Sequence, residues 1–394
     1  MLMSTSVIIS AARTPIASFQ GGLSKVKASD LGAIAIREAI VRAGIAAGDV
    51  EEVIMGCVLP AGQGQNPARQ ASLAAGIPNS VEAITINRVC GSGLRAVMLA
   101  DQLIRSGDND IIVAGGMESM TRAPYLLPEA RSGMRLGDSK AVDGMVFDGL
   151  WDIHSNQHMG SCAELCAEKY GFTREAQDEF AIASYKKAQE AIKSGAFRDE
   201  IVAVPVPEKK GGTVSFDTDE EPGRADFEKM KRLKPCFKDQ GTITAANSSS
   251  ISDGAAALVL MSEDRAKKAG LGPMARVLAH ASFAHDPVWF TTAPVGAIKA
   301  VLAKAKLTIE NIDIFEINEA FSAVTMAAIK EFSIDPKKVN IHGGAAALGH
   351  PIGASGARIL TTLIYAMKHK GLKRGLATLC NGGGGATAVI VELP

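Results

Sequence analysis

The chain contains the stretch Cys90-Gly91-Ser92-Gly93-Leu94-Arg95, and its Ser-Gly-x-Arg ending recurs in Gly353-Ala354-Ser355-Gly356-Ala357-Arg358. Each stretch follows a predicted strand and precedes a predicted helix. A further strand then leads into glycines, at Gly115-Gly116 in the first case and after Cys380 in the second. A coarse internal duplication of this kind predicts two similar βαβ halves packed side by side.

The segments around the two stretches alternate between short β-branched runs and helical patterns, which predicts an α/β fold with largely parallel strands. The predicted strands are residues 7–9, 52–56, 84–86, 111–114, 314–317, 339–341, 377–379 and 388–391. The predicted helices include residues 31–43, 93–106, 174–194, 297–304 and 354–370.

Residues 120–247 differ from the rest because they are rich in charge, proline and glycine. We interpret them as a loop domain that is inserted into the first half and covers the functional site, since loops on a rigid scaffold commonly hold ligands. The first half then comprises residues 1–119 and 248–273, and the second half comprises residues 274–394.

Composition excludes several classes of function. Lys plus Arg and Asp plus Glu number 42 each, which argues against a broad nucleic-acid surface. No apolar run reaches the roughly 20 residues of a membrane span. Residues 1–6 lack a basic flank and a long apolar stretch, so we expect no secretory signal. The six cysteines form no paired C-x-x-C sites, which predicts free thiols in a reducing cytoplasm and no zinc site.

Cys90 is the first candidate for chemistry, because it lies between a strand and a glycine-rich helix start. A helix N-terminus offers unpaired N–H groups and a partial positive charge, and both favour the reactive thiolate. An inert buried cysteine in a tight turn explains the same position equally well. There is no G-x-S-x-G motif, which disfavours a serine hydrolase.

Three further segments carry candidate residues. His350 lies in a glycine-dense loop, where it could accept a proton from Cys90 or serve as a structural or helix-capping residue. Asn318 follows a predicted strand, where its amide could polarise a carbonyl or cap a helix. Cys380 precedes four consecutive glycines, which favours a functional role because glycine weakens regular structure.

Taken together and in order, these four segments resemble the active-site loops of the thiolase family, over essentially the whole chain. The resembling motifs are Asn87-Arg88-Val89-Cys90-Gly91-Ser92-Gly93, Asn318-Glu319-Ala320-Phe321, Gly349-His350-Pro351-Ile352-Gly353-Ala354-Ser355-Gly356 and Cys380-Asn381-Gly382-Gly383-Gly384. The resemblance implies a layered αβαβα sandwich of two similar five-stranded α/β halves with an inserted loop domain. It also implies an acyltransferase that forms a homotetramer and acts on CoA thioesters.

The resemblance implies a role for each candidate. Cys90 would become acetylated, and His350 would activate Cys90 and help to bind the thioester oxygen, with Asn318 holding a water there. Cys380 would remove the α-proton of a second acetyl-CoA. The N–H groups of Cys90 and Gly382 would form a second oxyanion hole. No cofactor is implied beyond CoA as substrate and product.

The pair His158-Met159 resembles the short-chain, acetoacetyl-CoA-forming branch of the family, in which such a pair lines the acyl pocket. Further positions that match substrate or CoA contacts are Leu150, Arg224, Ala245, Ser249, Phe290, Ala320 and Phe321. Tyr185, Phe290 and Ala245-Ala246 also resemble a potassium-stimulated branch that accepts a 2-methyl substrate, which leaves open a potassium site near Tyr185, Ala245, Ala246 and Ser248.

The favoured function is therefore a reversible condensation of two acetyl-CoA molecules to acetoacetyl-CoA and CoA. A degradative 3-ketoacyl-CoA thiolase of broader chain length is an alternative, which His158 disfavours. A decarboxylating condensing enzyme of the same general fold is disfavoured because it would not need Cys380. A non-catalytic CoA- or lipid-binding relative would be expected to lack Cys90, His350 or Cys380, and all three are present.

Overall fold

A computed structural model describes residues 5–208 and 211–394. The predicted lack of a secretory signal in residues 1–6 and the loop domain predicted for residues 120–247 therefore lie partly outside the described residues. The strands are β1 (Ser6–Arg13), β2 (Ala17–Ser18), β3 (Glu52–Gly56), β4 (Glu82–Ile86), β5 (Ile111–Ser119), β6 (Tyr125–Leu126), β7 (Val142–Asp143), β8 (Trp151–Asp152), β9 (Gln157–His158), β10 (Val204–Pro207), β11 (Thr213–Phe216), β12 (Ser252–Ser262), β13 (Ala275–Ala284), β14 (Ile314–Ile317), β15 (Arg374–Asn381) and β16 (Gly385–Glu392). The α-helices are α1 (Ala28–Ala43), α2 (Pro67–Ala74), α3 (Ser92–Ser106), α4 (Met159–Tyr170), α5 (Arg174–Ser194), α6 (Phe227–Met230), α7 (Glu263–Lys268), α8 (Ala293–Ala305), α9 (Ser322–Phe332), α10 (Ala345–Leu348) and α11 (Ser355–Lys370).

The central sheet is mixed, so the prediction of largely parallel strands is wrong. Its order is β14-β15-β16-β13-β1-β12-β5-β3-β4, with β2 paired to β12. The pairs β3–β4, β3–β5 and β14–β15 are parallel, whereas β12 and β16 pair antiparallel with their neighbours. Residues 339–341, predicted as a strand, contribute only an isolated bridge from Val339 to Phe315.

The sheet is covered on both faces, and the side chains of each strand alternate between two cores. In β12, Ala255 and Val259 belong to the core beneath α1 and α2, while Leu258 and Leu260 belong to a core shared with α3 and α11. In the second half, the strands face α3 and α11 on one side and α8 on the other. Because both halves of the sheet face the shared helices α3 and α11, with α1 and α2 outside one half and α8 outside the other, the layers follow the order αβαβα.

The helices α3 and α11 form the middle layer, and each begins with one of the two matching stretches. A Cβ atom built on Gly93 would lie 2.9 Å from the Ala357 amide nitrogen. A Cβ atom built on Gly356 would lie 2.7 Å from Leu94 Cβ and nearer still to the Leu94 amide nitrogen. The contacts are reciprocal, because Gly93 corresponds to Gly356 and Leu94 to Ala357 in the matching stretches. The duplication therefore appears in the structure as two helix starts in backbone contact.

The segment 120–247 contributes α4, α5, α6 and three two-stranded sheets, β6–β7, β8–β9 and β10–β11. It is joined to the first half by a buried ion pair in which Arg13 bonds Glu200 at 2.5 Å and Asp219 at 2.8 Å. The exact boundaries of the three units stay a prediction. Among the residues that the structure describes, none of the helices combines the length and apolar character that crossing a bilayer demands.

Candidate active site

Cys90 lies in the turn between β4 and α3, and hydrogen bonds inside the turn fix its shape. The Ser92 hydroxyl donates to the Val89 carbonyl at 2.6 Å and accepts from the Arg88 N–H at 2.7 Å. Val89 has a φ of 47°, a left-handed conformation that is a genuine outlier for a β-branched residue. Strained residues persist only where their surroundings hold them, and they cluster at functional sites. The turn thus holds the thiol at the start of α3 against a local conformational cost.

The Cys90 thiol is buried, and it lies beside two backbone donors. Burial raises its pKa to about 12, while the N–H groups of Gly382 and of Cys90 itself act to lower it. Two N–H groups that converge on one sulfur can also stabilise an oxyanion on a carbon bonded to that sulfur. The arrangement therefore suits the predicted roles of Cys90 as nucleophile and of the Cys90 and Gly382 N–H groups as an oxyanion hole.

Cys380 lies near the end of β15 and is fully buried. Burial raises the pKa of its thiol well above the usual value, and the neighbouring Cys90 raises it further. The structure therefore brings the two predicted thiols, from distant parts of the sequence, into one site. Both are protonated in the free protein near neutral pH, so Cys380 holds a proton that it can deliver to a leaving group.

His350 is buried as a neutral imidazole, because burial and the charge of Arg358 lower its pKa to about 3. Its Nδ1 lies 2.6 Å from the Ser355 hydroxyl, which leaves Nε2 available for proton transfer. The loop of His350 reaches the start of α3, since a Cβ atom built on Gly93 would lie 3.0 Å from the Gly353 carbonyl oxygen. His350 does not cap α11, which begins at Ser355 with no side-chain cap.

Asn318 approaches the imidazole, with its Nδ2 at 3.5 Å from each ring nitrogen of His350. The alternative that Asn318 caps a helix is wrong, because α9 begins at Ser322 and no side chain caps it. Its buried Oδ1 has no hydrogen-bond partner among the described residues. A buried acceptor of this kind normally binds water, which suits the predicted role of Asn318 in holding one beside His350.

A buried apolar cluster includes Cys380, and we refer to it below as the predicted acyl pocket. Met159, Phe290, Ala320 and Phe321 share one buried cluster with Cys380. The rings of Phe290 and Phe321 lie 6.3 Å apart between centroids. A Cβ atom built on Gly382 would lie 3.7 Å from Met159 Cε, so the pocket wall reaches the oxyanion-hole glycine. A closed wall of large side chains next to the reacting sulfur suits a short acyl chain.

His158 lies at the edge of this pocket, at the start of α4. Its Nδ1 accepts a hydrogen bond from the Gly160 N–H at 3.0 Å, and its ring stacks on Phe237 at 4.7 Å between centroids. Burial lowers the pKa of His158, so the ring is neutral near pH 7. Phe237 in turn lies edge-on to Phe321, which connects His158 to the pocket.

The remaining predicted contacts lie farther out. Leu150 is half-buried and packs on the cluster that contains Cys90. The Arg224 side chain is 58% exposed and lies 3.9 Å from Glu220, and Ala245 is exposed. Ser249 lies against the pocket, because its N–H and its hydroxyl both donate to the Ala320 carbonyl. Arg224 and Ala245 thus lie at the surface, and their contacts with CoA stay a prediction.

Tyr185 and Ala246, named for a potassium site, lie in one buried cluster with Ala347 and Leu348, just before His350. Ser248 donates to the Thr244 carbonyl at 2.7 Å. Within residues 5–208 and 211–394, no group of three or more His, Cys, Asp or Glu side chains is arranged to hold a metal ion. The potassium site stays a prediction.

The sequence did not reveal three residues of the site. Phe237 lies in a charged, proline-containing segment. The only sequence signal for a role in the site was that it is an isolated aromatic residue in such a segment. Ser355 belongs to a recognised motif, but its bond to His350 Nδ1 depends on the turn that follows His350. Glu118, which directly follows Gly115-Gly116-Met117, is fully buried, and a carboxylate within a buried, glycine-containing strand was its only signal.

Comparisons with known proteins agree with this geometry. The family models "Thiolase, N-terminal domain" and "Thiolase, C-terminal domain" match residues 6–264 and 271–393. The acetyl-CoA acetyltransferase of Cupriavidus necator is 52% identical over 391 residues, which cover 99% of this chain and 100% of that protein. The Acat5 thiolase of Ascaris suum, solved in complex with coenzyme A, is 46% identical with a TM-score of 0.94, over 99% of this chain and 100% of that one. The acetyl-CoA acetyltransferase of Bacillus anthracis is 41% identical with a TM-score of 0.97, over the whole of both chains.

Proposed function

The chain belongs to the thiolase family, and we propose that it catalyses the reversible condensation of two acetyl-CoA molecules to acetoacetyl-CoA and CoA. Relatives of about 50% identity over nearly the full chain carry the name acetyl-CoA acetyltransferase. The observation that supports this function best is the meeting of two buried thiols, Cys90 and Cys380, beside one apolar cluster. The enzyme is an acyltransferase and uses CoA thioesters without a further cofactor.

In the first half-reaction, the neutral His350 accepts the proton of Cys90, and the thiolate attacks the carbonyl carbon of acetyl-CoA. The N–H groups of Cys90 and Gly382 stabilise the tetrahedral oxyanion. The intermediate collapses to acetyl-Cys90 as the carbon–sulfur bond to CoA breaks. The CoA thiolate takes the proton of Cys380, which leaves a Cys380 thiolate and a protonated His350.

In the second half-reaction, the Cys380 thiolate removes an α-proton from a second acetyl-CoA. The enolate oxygen is stabilised by protonated His350 and by the water that Asn318 would hold. The enolate carbon attacks acetyl-Cys90, and the resulting oxyanion occupies the same pair of N–H groups. Collapse releases acetoacetyl-CoA and a Cys90 thiolate, which recovers its proton from His350. The free enzyme is restored, because Cys380 has regained a proton from the substrate.

The pocket separates this function from the broader 3-ketoacyl-CoA thiolase. Phe290 is 1% exposed and Phe321 is 7% exposed, and both belong to the buried cluster that contains Cys380. A chain of six or more carbons would need the space that these rings occupy. The broader specificity is therefore the weaker candidate.

The assay is CoA-dependent thiolysis of 3-ketoacyl-CoA substrates of four, six and eight carbons, followed by loss of the enolate absorbance. We expect the four-carbon substrate to have the highest kcat/KM and Cys90→Ser to be inactive. An equal or higher kcat/KM for eight carbons would overturn the short-chain assignment. An inactive wild-type enzyme that still binds CoA would instead support the binding-only relative.

The same assay tests the potassium site and the substrate branch. Stimulation by KCl but not by NaCl at equal ionic strength would support a cation near Tyr185, Ala246 and Ser248. Thiolysis of 2-methylacetoacetyl-CoA would place the enzyme with the branch that Tyr185 and Phe290 resemble. Equal rates in both salts, together with no 2-methyl activity, would exclude both features.

We also propose a cytoplasmic homotetramer. All six cysteines lie in described residues and are free thiols, which suits a reducing compartment. Strand β4 forms one end of the sheet, and its Ile84 is 46% exposed. Tyr125 and Leu136 are also exposed, and exposed apolar surface of this kind often marks an interface. Light scattering after size-exclusion chromatography should give four times the 41.1 kDa chain mass, and a monomer would refute the proposal.

A further inference from the structure

We infer that Glu118 is a positioning residue, whose carboxylate docks the loop of His350 against the first half of the chain and so sets the imidazole for proton transfer with Cys90. The inference rests on the proposed function and adds to it. Glu118 lies in β5, outside the four motifs that carry the chemistry. In this strand it follows Gly115 and Gly116, two glycines that take no part in the reaction itself.

The Glu118 carboxylate accepts hydrogen bonds from both halves of the chain. Its Oε2 accepts from the N–H groups of Val58 and Gly353, each at 2.9 Å. Its Oε1 accepts from the Leu59 N–H at 3.2 Å and contacts the Cys57 sulfur at 3.5 Å. Gly353 belongs to the loop of His350, whereas the other three residues follow β3. One fully buried side chain thus ties two loops from distant parts of the sequence.

The Gly353 peptide is held in a seat that only glycines can form. A Cβ atom on Gly56 would lie 2.7 Å from the Gly353 carbonyl oxygen, and one on Gly93 would lie 3.0 Å from it. A Cβ atom on Gly116 would lie closer still. The carbonyl of Gly353 therefore packs on bare backbone while its N–H meets Glu118. Gly353 itself cannot carry a side chain either, since its Cβ atom would lie 2.6 Å from Glu118 Oε2.

A short path connects this seat to the imidazole. The Ala354 N–H donates to the Pro351 carbonyl at 2.8 Å, which makes the residues after His350 a compact turn. The Ser355 hydroxyl donates to the same carbonyl at 2.9 Å and lies 2.6 Å from His350 Nδ1. A shift of Gly353 would therefore move Pro351 and Ser355, and with them the ring.

Electrostatics argues against a direct role for Glu118 in activating Cys90. Burial raises the pKa of Cys90, and the nearby carboxylate of Glu118 adds to the rise. Burial also raises the pKa of Glu118 itself to about 7, so a buried carboxyl group here is unfavourable in both respects and its presence needs another reason. Docking supplies that reason, because a buried carboxylate can accept several N–H bonds at once.

The test is Glu118→Gln, which keeps the shape but replaces one oxygen by an amide nitrogen. If the nitrogen takes the Oε1 position, it faces the Leu59 N–H, donor against donor. If it takes the Oε2 position, the bond to Gly353 is lost. We expect kcat for acetoacetyl-CoA thiolysis, per site titrated by acetylation, to fall about 10²-fold, which is the effect of misplacing a catalytic group by roughly 1 Å. The KM for acetoacetyl-CoA should change less than twofold.

The matched control is Asp101→Asn. Asp101 is another buried residue with several hydrogen-bond donors around its carboxylate, and it lies in the part of α3 far from Cys90. It is bonded to His280 at 3.0 Å and to Arg105 at 2.8 Å. We expect it to lower Tm while leaving kcat per titrated site unchanged. If Glu118→Gln behaves in the same way, Glu118 is merely structural and the inference fails. An inactive wild-type enzyme would instead refute the proposed function.

A double-mutant cycle with Ser355→Ala gives an independent result. If Glu118 acts through the turn that holds His350, the combined variant should lose less activity than the product of the two single losses. A loss equal to that product would overturn the inference. Should Glu118→Gln not fold, Glu118→Asp, which keeps the charge but shortens the reach, takes its place in the cycle with the same expectations.

Discussion

The contact between α3 and α11 makes Gly356→Ala a sharp test of how the site is assembled. Within a helix, alanine is ordinarily more stable than glycine by up to about 1 kcal/mol. Here the added methyl group would lie 2.7 Å from Leu94 Cβ and nearer still to the Leu94 amide nitrogen, so the helices must separate by more than about 0.7 Å to reach ordinary contact. Overpacking of this kind costs about 1–3 kcal/mol. Packing and helix propensity therefore predict opposite signs for the change in stability.

The separation should also lower activity, since Leu94 lies one turn from Cys90 and Gly356 lies next to Ser355. We expect a lower urea midpoint and a fall of about 10²-fold in thiolysis kcat. Gly93→Ala should have the same effects to a smaller degree, because its methyl group would lie 2.9 Å from the Ala357 amide. Gly48→Ala, with its nearest neighbour at 3.9 Å, is the neutral control. A Gly356→Ala enzyme as stable and active as the wild type would refute the reasoning.

Three other predictions concern the chemistry. Cys380→Ala should lower thiolysis kcat by about 10²–10⁴-fold, while iodoacetamide still alkylates Cys90 at a rate within a few-fold of wild type; unchanged thiolysis would contradict the mechanism. Because burial lowers the pKa of His350 to about 3, the unfolded chain binds more protons than the folded one between pH 6.5 and 3, and stability falls as the pH falls. The unfolding free energy of the wild type should therefore fall by about 2 kcal/mol more between pH 7 and pH 5 than that of His350→Asn. Urea titrations at both pH values measure this difference, and equal losses would show that the imidazole is not buried as described. Phe290→Ala should raise the six-carbon to four-carbon kcat/KM ratio about tenfold, and an unchanged ratio would mean that this ring does not limit chain length.

The sequence predicted the strongly patterned elements well. Residues 52–56 and 314–317 are the strands β3 and β14, and residues 174–194 are the helix α5. It did not predict β12 or β13, which lie near the centre of the sheet. Strand β12 reads SDGAAALVLMS, and small residues on both faces give neither the β-branched enrichment nor the alternation that marks a strand. The missing strands explain why the sheet was expected to be largely parallel.

The candidate site was predictable as a set of motifs, but its geometry was not. The motifs around Cys90 and His350 also had a structural explanation, whereas the glycines after Cys380 favoured a functional role by themselves. The order of the motifs along the chain favoured function only through the family resemblance. Contacts between residues far apart in sequence, such as the stacking of His158 on Phe237 or the bond from Gly353 to Glu118, depend on the folded arrangement of loops. Local patterns carry no information about such contacts.

The pairing of the two helix starts has a consequence for symmetry. In the matching stretches, the proposed nucleophile Cys90 corresponds to Gly353. The space that a side chain on Gly353 would need is occupied by the Glu118 carboxylate and by backbone of the first half. A cysteine side chain at Gly353 would have no space. Two identical copies of one half, each with a thiol at this position, could therefore not pack their helix starts as closely as α3 and α11 do. The difference between Cys90 and Gly353 thus has two results: the starts of α3 and α11 pack closely, and only one of the two stretches carries a thiol.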